Sequence, residues 1–104
     1  MIIGAGNLGQ ATLNALLSDN SINVKVVGFI DDNTSLHKKY ILGVPIYSVD
    51  KAFDRIIPEN KVSEIIFAIN SSEITNIRKR EISNKCLELH LVLKECLCKW
   101  TSYH

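Results

Sequence analysis

Apolar and polar positions along this chain fall into blocks of two different periods. Val24 to Ile30 carries Val26, Val27, Phe29 and Ile30 as a nearly unbroken apolar run, and Ile65 to Ile69 is apolar throughout. Runs without a polar face suit strands covered on both sides, as in a parallel sheet. Between them the apolar residues take helical spacing. Leu8, Ala11, Thr12, Ala15 and Leu16 fall at i, i+3, i+4, i+7 and i+8, predicting a helix to about Ser18 that Asp19-Asn20-Ser21 stops. Val49, Ala52, Phe53, Ile56 and Ile57 repeat that spacing, with Ser48 as N-cap and Pro58 as terminator. A third helix is expected from Asn70-Ser71-Ser72 to about Lys85, with Ile74, Ile77, Ile82 and Cys86 as its stripe. Leu87, Leu89, Leu91 and Leu93 then alternate with Glu88, His90 and Val92, the period of a half-exposed edge strand with His90 facing away from the leucines.

Met1 to Ile3 reads as the end of a first strand, short against the usual length of about 5–6 residues. Asn33 to Leu42 is polar and reads as a loop. Gly43 to Tyr47 reads as a turn and a short extended segment, in which Pro45 limits ladder bonding. Strands alternating with helices predict a doubly wound α/β domain over residues 1–93, with about four main parallel strands in the order 2-1-3-4. Residues 94–104 form a tail with no assigned element.

Composition narrows the picture. A chain of 104 residues fits one domain. Twelve Lys+Arg against eleven Asp+Glu leave a net charge of +1, which supplies no electrostatic reason to expect nucleic acid or an anionic membrane surface. No apolar run approaches the roughly 18–20 residues that span a bilayer, and the start Met1-Ile2-Ile3-Gly4 lacks the features of a signal peptide. A cytoplasmic location is the expectation. Cys86, Cys96 and Cys98 form no CxxC set, so no metal site is expected.

The sharpest chemical signal is Gly4-x-Gly6-x-x-Gly9 between a strand and a helix. The three glycines have distinct physical roles. Gly4 permits the tight turn, Gly6 lets a pyrophosphate approach the backbone, and Gly9 lets helix and sheet pack closely. Asn7 and Leu8 lie in the first helical turn, whose free N–H groups favour an anion. Asp31 ends the next strand, 22 residues after Gly9, where a carboxylate can hold the adenosine ribose hydroxyls. These are the marks of a Rossmann-like domain. A carboxylate at Asp31 repels a 2′-phosphate, and no Arg occupies positions 31–36, so NAD is preferred over NADP. Asp32 and Asn70 complete the expected cofactor-side set, Asn70 because loops at strand carboxyl ends line the crevice of such a sheet. As an adjacent acid pair on a strand, Asp31 and Asp32 point to opposite sides, which makes joint metal coordination awkward. Two other readings stay open: the glycines only build a turn while Asp31 only caps a strand, or a nucleotide other than NAD binds. His37, His90 and His104 have no partner that suggests acid–base work, and no catalytic residue is assigned.

The runs Val26-Val27-Gly28-Phe29-Ile30-Asp31-Asp32-Asn33, Gly43-Val44-Pro45-Ile46 and Glu64-Ile65-Ile66-Phe67-Ala68-Ile69, with Ile77-Arg78-Lys79-Arg80-Glu81-Ile82 before Cys86, carry a resemblance over about residues 1–93. Together they resemble the amino-terminal Rossmann domain of CapD-like bacterial nucleotide-sugar epimerases and dehydratases of polysaccharide biosynthesis. That resemblance implies a dinucleotide or UDP-sugar ligand, and a second domain or a second copy to dock against. Family members are often membrane-tethered and carry their chemistry on a Tyr-x-x-x-Lys pair in a further domain. Tyr47 and Lys51 have that spacing here, but at the position of the family's GVPI segment rather than its catalytic helix. The chain is therefore expected to be inactive alone. The glycine turn is also similar to that of Rex-type NADH-sensing repressors. The GFIDDN and GVPI runs are similar to those in the first domain of sugar acyltransferases, though the Gly-Gly-His turn of that group is missing.

Overall fold

The computed structural model describes residues 1–95. In chain order the elements are β1 (Ile2–Ile3), α1 (Asn7–Ser18), β2 (Phe29–Ile30), β3 (Tyr40–Ile41), β4 (Val44–Tyr47), α2, β5 (Glu64–Phe67), α3 (Asn76–Glu88) and β6 (Val92–Glu95). Three consecutive turns build α2: Val49–Lys51 and Ile57–Glu59 are α-helical, and Ala52–Ile56 between them is a π-turn. The six strands form one sheet in the order β3-β4-β2-β1-β5-β6. Every pairing is parallel except β3 with β4. The expected order 2-1-3-4 is thus the spine β2-β1-β5-β6, and the Gly43–Tyr47 segment adds β4 beyond β2.

The alternation of side chains along a strand sorts the core into two faces. Ile2, Phe29 and Ile46 pack with Ala5, Leu13 and Ala68 beneath α1. Ile3, Ile30, Ile65 and Phe67 pack on the other face against Val49, Phe53 and Ile57 of α2 and Ile82 and Cys86 of α3. Register keeps the faces consistent, since Ile2 lies opposite both Phe29 and Ile66 while Ile3 lies opposite Ile30 and Phe67. Helices cover both faces, as the doubly wound expectation requires.

Several boundaries differ from the sequence expectation. Only Phe29–Ile30 of the Val24–Ile30 run enters the ladder, because β1 gives it two partners and Val24 is exposed. The buried stripe of α1 is Gly9, Thr12 and Leu13, not Ala11 and Ala15, since the side without a Cβ at Gly9 is the one that can approach the sheet. Residues 40–47, expected as the end of a loop and a short segment, form a hairpin. Leu42 (φ 51°) and Gly43 (φ 80°) both take positive φ, as a two-residue turn matched to strand twist demands. Pro45 therefore sits inside the sheet rather than on its edge. The bond from Ile46 N–H to Lys39 C=O (3.0 Å) lies on the β3 side, so the alternation of the ladder points the Pro45 nitrogen away from β3. Pro58 lies within the last turn of α2 instead of ending it; having no N–H, it cannot continue the α-helical bonding from within that helix, and the π-turn just precedes it.

The third helix starts later and ends later than expected. Ser71–Glu73 forms a separate 3-10 turn, Ile74 returns to extended backbone, and Thr75 is the true N-cap, its Oγ1 accepting from Arg78 N–H at 3.1 Å. That start turns Ile77 outward, 71% exposed. At the other end α3 continues through Leu87 and Glu88. His90 at φ 57° then closes it, donating its N–H to Leu87 C=O while Leu91 N–H reaches Cys86 C=O. This is a Schellman closure. The same closure ends α2, with Lys61 (φ 52°) bonded to Pro58 C=O and Val62 to Ile57 C=O. His90 is consequently a helix terminator, not a strand residue. Lys94 and Glu95, expected in the tail, belong to β6. Cys96, Cys98, Trp100, Tyr103 and His104 lie outside the described residues.

Candidate functional site

The β1–α1 turn is built by three glycines under three different constraints. Gly4 has φ +107°, and a Cβ there would lie 2.5 Å from the Ala68 carbonyl oxygen at the end of β5. At Gly9 a Cβ would overlap the carbonyl oxygen of Gly4, so helix and turn meet there with no room for a side chain. Gly6 is the opposite case: nothing lies within 4 Å of the position its Cβ would take. Two glycines are thus demanded by the fold, while the third faces open space. Gly6 is also the N-cap of α1, with no capping side chain and no acidic residue in the first turn. Gln10 N–H closes the first helical turn on Gly6 C=O at 3.0 Å, and the amides ahead of it are those a helix leaves without internal partners. Asn7 is exposed and Leu8 half-buried beside them. A group with oxygen acceptors and negative charge fits this cradle.

Asp31 lies under the turn. Its Oδ2 accepts from Ala5 N–H at 2.9 Å and its Oδ1 from Asn33 N–H at 2.8 Å, while its backbone oxygen meets His37 Nε2 at 2.7 Å. The carboxylate therefore ties the end of β2 to the glycine turn. Asp32, the neighbour, points elsewhere. It takes two hydrogen bonds from the Arg78 guanidinium, Nε to Oδ2 at 2.9 Å and Nη2 to Oδ1 at 2.6 Å. Arg78 Nη1 also donates to Glu81 Oε2 at 2.9 Å. Hydrogen bonds from Arg78 hold the Asp32 carboxyl below its ordinary pKa, and the same bonds raise that of Arg78. The pair joins the end of β2 to the first turn of α3, two sides of the sheet's carboxyl-end crevice. Asn70 is exposed beyond β5, its Nδ2 3.5 Å from Glu73 Oε1.

Sequence reasoning gathered the glycines, Asp31, Asp32 and Asn70 at the carboxyl ends of β1, β2 and β5, which is where they lie. It missed Arg78, 46 positions from Asp32, and gave His37 no partner. The missing signal for Arg78 was tertiary, since nothing local links the two positions. Among the described residues no three His, Cys, Asp or Glu side chains gather as metal ligands. A cavity of about 530 Å³ opens at the opposite end of the sheet, between Leu16, Ile22, Val24, Val26, Ile66 and Lys94. It is remote from the glycine turn.

A glycine turn opening a helix at the carboxyl end of a mostly parallel, doubly wound sheet is the arrangement of a nucleotide-binding Rossmann-like domain. The chain belongs to the CoA-binding domain family, whose model matches residues 1–90. It is 31% identical over 97 residues to the probable polysaccharide biosynthesis protein EpsC of Bacillus subtilis (strain 168), covering 93% of this chain and 14% of that protein. The chain thus spans about a seventh of that relative. Among solved structures it superposes on UDP-D-quinovosamine 4-dehydrogenase from Vibrio fischeri with a TM-score of 0.75 and 28% identity, over 88% of this chain and 71% of that one. The Rex-family repressor RSP, solved with beta-NADH, shares the fold at a TM-score of 0.71 and 24% identity, over 98% of this chain and 54% of that one. The resemblance to polysaccharide-biosynthesis enzymes is thereby borne out. No helix of the described residues is long and apolar enough to cross a membrane.

Proposed function

We propose that the chain binds NAD, as the cofactor-carrying or regulatory domain of a nucleoside-diphosphate-sugar epimerase, dehydratase or dehydrogenase of polysaccharide biosynthesis. The observation that carries this reading is the open face at Gly6 between two glycines that the fold itself requires. Gly4, Gly6, Asn7, Leu8 and Gly9 hold the pyrophosphate, Asp31 and Asp32 bound the adenosine ribose, and Asn70 lies toward the nicotinamide. Asp31 already accepts two backbone N–H groups, so its role toward a ribose is shared with holding the turn. When bound, NAD supplies a hydride acceptor; the residues of this chain bind and orient it. Among the described residues no single helix carries a Tyr-x-x-x-Lys pair, since Tyr47 lies in β4 and Lys51 in α2, and no general base is assigned, so the chain alone is expected to show no turnover with UDP-N-acetylglucosamine.

Coenzyme A shares the adenosine 5′-pyrophosphate of NAD but adds a 3′-phosphate to its ribose, and the family's description gives it a place in the test. Calorimetric titration with NAD, NADP, coenzyme A and UDP-N-acetylglucosamine is expected to give the tightest binding to NAD. Gly6→Val is expected to abolish that binding while the circular dichroism spectrum stays that of the parent. NAD binding that survives Gly6→Val would place the phosphate site elsewhere. A UDP-sugar bound more tightly than NAD would overturn the cofactor assignment.

A further inference from the structure

The pair Asp32–Arg78 is more than a surface ion pair. Arg78 has its backbone fixed by the Thr75 cap, and its guanidinium donates three hydrogen bonds to two carboxylates, Asp32 and Glu81. The side chains remain open to solvent, 31% for Arg78 and 55% for Asp32. The site they occupy is the end of β2, where a Rossmann-like fold receives the adenosine ribose and where a nearby arginine is the device that accommodates a phosphate on that ribose. A planar guanidinium fork suits carboxylate and phosphate equally, so the two compete for one donor set. Here Asp32 already occupies it.

We propose that Asp32 and Arg78 together determine whether the bound nucleotide's ribose can carry a phosphate: Asp32 sequesters Arg78 and so excludes a phosphorylated ribose. This rests on the nucleotide-binding reading above. It differs from the sequence expectation, in which Asp31 repels the phosphate and no Arg occupies positions 31–36. With the pair formed, the cluster of Asp32, Arg78 and Glu81 bears one net negative charge, unfavourable to a phosphate. With Asp32 neutral, two guanidinium donors are released toward the ribose.

The test uses the full chain and three probes: 5′-AMP, adenosine 2′,5′-bisphosphate and adenosine 3′,5′-bisphosphate. The parent is expected to bind 5′-AMP more tightly than either bisphosphate. Asp32→Asn, with Asp32→Ser as a second version, is expected to move at least one bisphosphate-to-AMP affinity ratio about tenfold toward the bisphosphate, the scale of one charge-assisted contact. The isomer that responds tells whether the 2′ or the 3′ ester faces Arg78. Arg78→Met and the double variant Asp32→Asn/Arg78→Met are expected to gain nothing. Unchanged ratios in Asp32→Asn with 5′-AMP still bound would overturn this inference and leave the nucleotide site standing. An equal gain in the double variant would also overturn it, because relief of repulsion by Asp32 would then suffice. A parent chain that binds none of the three probes would overturn both readings.

Discussion

The glycine turn and the Asp32–Arg78 pair flank the same crevice and are held by different physics. The turn is steric and local. Gly4, Gly6 and Gly9 lie within six residues, and two of the three have no room for a single methyl group. The pair is electrostatic and distant, joining positions 46 apart through side chains that remain open to water. Packing constraints are steep and do not depend on salt or pH, whereas exposed ion pairs are shallow and depend on both. The difference separates a part of the site the fold cannot alter from a part that can be altered without unfolding.

The largest expected effect is at Gly9. Gly9→Ala forces a methyl group into the Gly4 carbonyl, and the helix must move off the sheet; a loss of about 3 kcal/mol or more in urea unfolding is expected. A loss under 1 kcal/mol would show that the turn yields, and the contrast with the pair would collapse. Next is Asp31, which belongs to both regions. Asp31→Ala leaves Ala5 and Asn33 N–H without their acceptor and is expected to cost about 1–2 kcal/mol. A smaller loss, with amide exchange at Ala5 unchanged, would detach the end of β2 from the turn.

A double-mutant cycle on Asp32→Asn and Arg78→Met is expected to give a coupling of about 0.5 kcal/mol at neutral pH, as for other exposed pairs. Its pH dependence has a definite sign. The folded-state pKa of Asp32 is held below its unfolded value by Arg78, so the pair's contribution is present above the ordinary carboxylate range. It is lost as pH falls through the lowered folded value. The coupling should vanish at strongly acid pH, while the Gly9→Ala difference persists for as long as the chain stays folded. A comparably small effect is expected at Gly6. Gly6→Ala puts a methyl group into open space at an N-cap, and stability should fall by about 0.5 kcal/mol, the difference between Gly and Ala as caps. A loss like that of Gly9→Ala would mean that Gly6 is structural, and the proposed phosphate cradle would lose its main support.

Cys86 carries an opposite pH signature in the core. Burial raises its thiol pKa, so its contribution is intact at neutral pH and is lost as pH rises through that raised value. Cys86→Ala should remove this alkaline component from the pH–stability curve.

The sequence by itself determined the class of fold, the glycine turn and the buried face of α2, all of which rest on short-range geometry. Strand and helix periods are properties of neighbouring residues, and so is the glycine spacing that marks a phosphate cradle. The Ser48 cap was legible for the same reason. Boundaries were not, where competing local signals had nearly equal claims. Thr75 won over Asn70 to Ser72 as the cap of α3, and the Leu87–Leu93 alternation was split by a helix that ran on through Glu88 and closed at His90, a terminator without glycine. Parallel pairing needs partners far away in the chain, so the length of β2 and the placement of Pro45 inside the sheet depended on which strands met. Only the tertiary structure brought Arg78 to Asp32, because a guanidinium and a carboxylate 46 residues apart leave no periodic trace; they meet because α3 and the end of β2 are held to one sheet.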